Sequence, residues 1–192
     1  MEKEFNDEVI LKKREEIKKQ KYVTIENGCY VRGKILKFIL KDMFHIFSLY
    51  MPDNMCKMPE ELAKIKYPSE YRPDSIYTTL DLSVNIGFNI LGDELQIKDV
   101  QKVAERMRAA IQRSNSSFQF YEIEKINKNS GCYFDFRSHA IDVDIYNMIY
   151  LVSIENNLIQ SNFNCLYQQK NDWKKVVKLI WESIEKIDDR KV

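Results

Sequence analysis

The clearest pattern in the chain runs from Ile76 to Ile90. Ile76, Leu80, Leu82, Val84, Ile86, Phe88 and Ile90 fall on even positions, while Thr79, Asp81, Ser83, Asn85, Gly87 and Asn89 fall between them. A period of two predicts a long strand or a tight hairpin with one buried face, ended by Gly92-Asp93. Two later stretches switch to helical spacing. Ile97, Val100, Val103, Ala104, Met107, Ala110 and Ile111 form one apolar stripe, with Lys98, Lys102, Glu105, Arg106 and Arg108 on the outer face. Trp173, Val176, Val177, Ile180, Ile184 and Ile187 form the other, with Asn171 or Asp172 expected as its cap.

Ahead of these, residues 7–21 are charge-dense, with Val9, Ile10 and Ile17 as spaced apolar positions. Glu8-Lys12, Lys12-Glu16 and Glu15-Lys19 suit a helix surface. This helical arm is expected either to lie solvated or to pack on the body or on a second copy of the chain, giving a homo-oligomer. A meander follows: a strand over Tyr22–Glu26, a hairpin turn at Asn27-Gly28, a strand from Cys29 to about Leu40, a turn at Lys41-Asp42-Met43 and a strand over Phe44–Met51.

All four prolines then fall between Pro52 and Pro73. Pro52 ends the preceding strand. Pro59 opens a short helix with Glu60 and Glu61 in its first turn and an apolar face of Leu62 and Ile65. Pro68 and Pro73 disfavour helix at Tyr67 and Arg72, so the helix ends near Lys66 and residues 67–74 are extended or turned. Beyond the breaker of the first helical stripe, Ser114-Asn115-Ser116-Ser117, strands are expected over Phe118–Ile126, Cys132–Ser138, Val143–Ile154 and Leu158–Tyr167, with Asn156-Asn157 as a tight turn.

The order defines an α+β fold: a curved antiparallel sheet covered by two main amphipathic helices, plus the N-terminal arm. The expected organisation is a lead-in over residues 1–21 and one domain over residues 22–192. Thirty Lys+Arg against 29 Asp+Glu leave a formal charge of +1, without the basic excess of a nucleic-acid or anionic-membrane binder. No cleavable leader and no apolar run of bilayer length is visible, so the expected compartment is the cytoplasm. Cys29, Cys56, Cys132 and Cys165 form no C-x-x-C pair and lie far in sequence from His45 and His139, which points to reduced thiols rather than zinc or disulfides.

Two constellations bear on function. Asp135, Arg137 and His139 alternate along one strand, with Asp142 and Asp144 beyond its turn. They make either an acid–base or anion site, with His139 titrating, or the solvated face of a half-buried strand. Asp142 and Asp144 lack the spacing of a calcium loop, and no metal or cofactor is expected. Ser138-His139 makes no hydrolytic triad, because neighbours on a strand point to opposite faces. The second constellation is Lys66, Tyr67, Ser69, Glu70, Tyr71 and Arg72. Tyrosine and arginine dominate interface hot spots, and Pro68 and Pro73 lower the cost of presenting them. The alternative is that this excursion covers a sheet edge.

The succession of the Phe44–Pro52 strand, the proline excursion, Val84-Asn85-Ile86-Gly87-Phe88, the helix from about Ile97, Gly131-Cys132-Tyr133-Phe134-Asp135-Phe136, Asn162-Phe163-Asn164-Cys165 and the Trp173 helix resembles the PsbP-like superfamily. That superfamily is named for a photosystem II extrinsic subunit and shared by the Ran-binding Mog protein and bacterial relatives. The resemblance covers roughly residues 33–187. It implies an αβα sandwich acting as a non-enzymatic binding or assembly module with a protein partner. Many bacterial members look secreted or lipid-anchored, a leader this sequence does not show.

Overall fold

A computed structural model describes residues 2–92, 99–155 and 157–187, with side chains described from residue 7 onward. Asp93, Ile97, Lys98 and Asn156, which figure in the expectations above, lie outside these residues. Helix α1 (Glu2–Lys21) joins the body through its last turn, where the Tyr22 N–H donates to Lys18 O and the Tyr30 N–H to Tyr22 O, both at 3.0 Å. Val9, Ile10, Leu11 and Ile17 on the arm are all exposed.

The meander contains more turns than its sequence suggests. Strands β1 (Val23–Thr24), β2 (Gly28–Val31) and β3 (Lys34–Leu36) form a small antiparallel sheet. The expected strand from Cys29 to Leu40 is broken at Arg32-Gly33, where φ values of 46° and 85° make the left-handed pair of a tight hairpin turn. Strands β4 (Phe38–Met43) and β5 (Phe47–Pro52) follow. Their turn lies on Phe44 and His45 (φ 61° and 59°), not on Lys41-Asp42-Met43. The Asp42 carboxylate fixes it, accepting from the His45 N–H at 2.9 Å and meeting the His45 ring Nδ1 at 2.9 Å. Pro52 ends β5 as expected, and β6 (Met55–Lys57) leads into α2 (Glu60–Lys66). The helix ends at Lys66, as the prolines require. Its buried residue, however, is Ala63; Leu62 and Ile65 are exposed, so the expected apolar face is turned outward.

The alternating run is a hairpin of β7 (Ser75–Thr79) and β8 (Asn85–Leu91). Leu80 is 89% exposed and Leu82 has φ 58°, so both belong to the turn rather than to the buried face. Asp81 builds that turn by accepting from the hydroxyls of Thr79 (2.6 Å) and Ser83 (2.9 Å) and from the Ser83 N–H (3.1 Å). Helix α3 (Val100–Ser114) is capped by Asp99, which accepts from the Lys102 N–H. The expected strand over Phe118–Ile126 is interrupted into β9 (Gln119–Phe120) and β10 (Glu124–Ile126). Long strands β11 (Gly131–His139), β12 (Asp144–Ile154) and β13 (Asn157–Leu166) follow. Among the described residues of the β12–β13 turn, Glu155 has a positive φ (55°), and Asn157 already pairs with Ile154.

The main sheet is antiparallel throughout, in the order β10-β11-β12-β13-β8-β7-β6, with β9 also beside β11. On one face Cys132, Phe134, Phe136, Leu151 and Leu158 pack with Ala104, Val103 and Met107 of α3. On the other, Tyr133, Tyr146, Met148, Tyr150 and Phe163 pack beneath α4 (Lys170–Glu182), which contributes Trp173, Val176, Val177, Ile180 and Trp181. The helices therefore cover opposite faces, completing an αβα sandwich. Helix α4 begins ahead of the expected cap, after a 3-10 turn over Tyr167–Gln169, and no side chain caps it. Past α4, β14 (Glu185–Lys186) pairs with β5, and the Tyr50 N–H donates to Ser183 Oγ at 2.9 Å. Among the described residues no helix is long and apolar enough to cross a membrane.

Candidate functional site

Residues 67–74 leave the end of α2 and return along the sheet, and polar contacts hold both ends of this path. At the start, the Lys66 ammonium donates to Leu82 O and to Asn85 Oδ1 (3.2 Å), tying α2 to the β7–β8 turn. Partial burial lowers its pKa, opposed by the nearby Asp81 carboxylate. The Tyr67 ring packs against Met58, Ala63 and Ile76, and its hydroxyl accepts from Asn164 Nδ2 at 3.0 Å. Burial raises the Tyr67 pKa against that hydrogen bond. At the far end the Asp74 N–H donates to Asn89 Oδ1 at 2.8 Å, and Pro73 lies directly over Gly87.

Between these anchors the chain makes a local turn. The Arg72 N–H donates to Ser69 O (3.2 Å), the Tyr71 N–H to Ser69 Oγ (3.1 Å), and the Arg72 guanidinium reaches Ser69 O at 3.5 Å. Ser69 and Glu70 are exposed, Tyr71 is 92% exposed, and Arg72 is half-buried. The six residues singled out from the sequence are thus brought together, but in unequal roles: Lys66 and Tyr67 are anchors, whereas Glu70, Tyr71 and Arg72 are presented.

Sequence reasoning missed the floor under this segment. A pocket of 340 Å³ lies between the segment and the sheet, lined by Lys66, Tyr67, Arg72, Gly87, Asn162 and Asn164 among others. A second hollow of 400 Å³ on the other side of the segment shares Arg72, Pro73 and Ile76. Asn162 and Asn164 share a sheet face because they are two residues apart on β13. Asn164 Oδ1 accepts from Asn85 Nδ2 (2.9 Å), whose own carbonyl oxygen accepts from Thr78 Oγ1 (2.8 Å). The alternation of Asn162 and Asn164 was the available signal, but nothing in sequence links it to residue 67.

Asp135, Arg137 and His139 do not form one site. Asp135 is fully buried beneath α4, where it accepts from the Tyr146 hydroxyl and from Lys174 Nζ (3.0 Å). The expected solvated strand face therefore fails at Asp135, because α4 covers this side of β11. Arg137 and His139 lie farther along the strand and both meet Asp144, His139 Nδ1 at 2.6 Å. The hydrogen bond to Asp144 raises the Arg137 pKa, and Arg137 and His139 in turn lower that of Asp144. The Arg137 guanidinium also stacks 4.5 Å from the Tyr167 ring centroid.

Beside Asp135, Lys174 and Lys178 donate to the two oxygens of Glu124 at 3.0 and 3.3 Å. Burial pushes the Glu124 carboxyl up, but the Tyr133 hydroxyl and these ammonium groups outweigh it and hold its pKa at about 2. The Tyr133 hydroxyl lies near Glu124 without hydrogen-bond geometry, so the two lysines carry the pairing. Burial also raises the thiol pKa of Cys29 and Cys132 to about 11 and of Cys165 to about 12; Cys56 is exposed. Among the described residues no three His, Cys, Asp or Glu side chains gather as metal ligands.

No protein-family model and no curated protein matches the sequence. Solved structures do match in fold. The PsbP of Synechocystis sp. PCC 6803 (CyanoP) superposes with a TM-score of 0.55 at 11% identity, covering 83% of this chain and 98% of that one. The Ran-binding protein Mog1p of Saccharomyces cerevisiae gives 0.55 at 7% identity, covering 80% and 97%. LpqN of Mycobacterium tuberculosis, involved in cell envelope biogenesis, gives 0.50 at 14% identity, covering 87% and 99%. The chain has the PsbP-like fold.

Proposed function

We propose that this chain is a non-enzymatic protein-binding or assembly module whose contact surface is Lys66, Tyr67, Ser69, Glu70, Tyr71 and Arg72. The observation that carries this reading is Tyr71, 92% exposed at the tip of a segment whose two ends are fixed to the sheet. A large aromatic ring in water gains most by burial against a partner, and a preset backbone spares that partner the cost of ordering it. The Ran-binding neighbour supports protein recognition on this fold, although fold alone does not assign a partner. The other reading, a small-molecule site or enzyme at Asp135, Arg137 and His139, has less support: Asp135 is committed to Lys174 and Tyr146, and Arg137 and His139 to Asp144.

The test is affinity capture from the native cell with wild-type bait and with the Tyr71→Ala/Arg72→Ala variant. The surface assignment expects a captured protein to be lost with a variant that melts like wild type. Undiminished recovery of every captured protein at wild-type stability overturns it.

A further inference from the structure

The pocket under the 66–74 segment has an unbalanced charge. Lys66 and Arg72 both line it, and among the described residues no carboxylate does. Neither cation is within ion-pair distance of an acid among those residues: Lys66 donates to Leu82 O and Asn85 Oδ1, and Arg72 to Ser69 O. Glu60, Glu70 and Asp74 lie with Arg72 along the neighbouring hollow rather than in this pocket. Asp81 is held by Thr79 and Ser83 in the β7–β8 turn, and Glu60 is paired with Lys64 at 2.7 Å. Two further groups are suited to donate into the same space. The Tyr67 hydroxyl accepts from Asn164 and retains its own proton, and Asn162, whose carbonyl oxygen accepts from Gln160 Nε2, retains its amide N–H groups.

We propose that this pocket receives a carboxylate carried by an acidic side chain of the protein partner. This rests on the protein-binding reading above and names the chemistry of what that surface takes. A carboxylate between an ammonium and a guanidinium makes charge-assisted hydrogen bonds, and the guanidinium's fork donates to both of its oxygens. A volume of 340 Å³ holds a glutamate-sized side chain. Tyr71 beside it then covers the aliphatic stem. A phosphate is the poorer fit, because α2 ends at Lys66 and points its carbonyl end toward the site. That negative end disfavours a doubly charged group more than a singly charged one.

The test uses the full chain labelled with ¹⁵N and a capped peptide, acetyl-Glu-Glu-Tyr-Glu-amide, with its all-glutamine counterpart as control. The proposal expects the glutamate peptide to move the amide resonances of Tyr67, Arg72, Asn162 and Asn164 saturably, and the glutamine peptide to leave them in place. Arg72→Gln should weaken the peptide at least tenfold while the remaining resonances keep their positions. Because Lys66 also holds the β7–β8 turn, Lys66→Arg, which keeps the charge, should retain binding. Equal response to both peptides, or full affinity in Arg72→Gln, overturns the carboxylate site. Free N-acetylglutamate binding as tightly as the peptide overturns the protein-borne source, and inorganic phosphate competing better than acetate overturns the choice of anion. Loss of partner capture in Tyr71→Ala/Arg72→Ala without any peptide response leaves the protein-binding reading standing and removes this one. A peptide response without any effect of that variant on capture does the reverse.

Discussion

Pro73 lies on Gly87 so closely that a Cβ at residue 87 would stand 2.5 Å from the proline Cγ. The proline excursion and the middle of β8 are therefore fitted to each other, and glycine is the residue that permits it. Gly87→Ala should push Pro73 off the sheet at a cost of about 1–3 kcal/mol, the usual range for overpacking. It should also weaken partner binding beyond that of a control of equal stability altered elsewhere. Thermal melts paired with capture measurements check this.

The buried end of the charge network beneath α4 gives a second expectation. Asp135 has no exposed surface, and Lys174 is its cationic partner. Lys174→Met leaves a buried carboxylate with only the Tyr146 hydroxyl, which should cost about 3–5 kcal/mol. Asp135→Asn combined with Lys174→Met should recover part of that loss, because the uncompensated charge is gone. Urea unfolding of the single and double variants measures both terms.

Acid should expose the other carboxylate of the network. The Glu124 pKa is about 2 in the folded chain against an ordinary 4.5. A depressed folded pKa contributes stability above the ordinary value and loses it as pH falls through the folded one. Denaturation midpoints should therefore drop between about pH 4.5 and pH 2, and Glu124→Gln should flatten that part of the profile. An equally steep profile in the variant assigns the acid sensitivity to other groups.

The cysteines divide by burial. Cys29, Cys132 and Cys165 are buried with raised pKa values, and Cys56 is exposed. A thiol reagent at neutral pH should therefore modify Cys56 quickly in the native chain and the other three only on unfolding. Timed alkylation followed by peptide mapping separates them.

The fold was largely legible because its signals are local. Period-two runs, two helical stripes and the four prolines marked the element types, although Ile184 and Ile187 of the second stripe fall past the end of α4 on either side of β14, and Pro68 ended α2 where expected. What failed depended on which side an element faces. Leu80 and Leu82 continue an apolar alternation, yet the Asp81 turn takes them out of the strand. Leu62 and Ile65 face outward while the smaller Ala63 is buried, because α2 meets the body through Ala63, which packs with Met58 and Ile76. Trp181, stacked on Tyr150 at 4.8 Å and donating to Ser161 Oγ, falls in α4 beside Ile180 and was not read as core. Asp135 looked like a surface residue because polar residues on alternating strands usually are; only the position of α4 buries it. For the site, the presented residues were visible as a tyrosine- and arginine-bearing proline segment. The floor of Gly87, Asn162 and Asn164 was not, since it is assembled by strand register between β8 and β13.

The central claim is that Tyr71 and Arg72 are presented for a protein partner. Quantitative mass spectrometry of proteins captured from the native cell, with wild-type and Tyr71→Ala/Arg72→Ala baits of matched thermal stability, tests it most directly. Hot-spot residues contribute about 2 kcal/mol or more each, so a true partner should fall at least tenfold in recovery with the variant. Equal recovery of all captured proteins by the two baits would contradict the account.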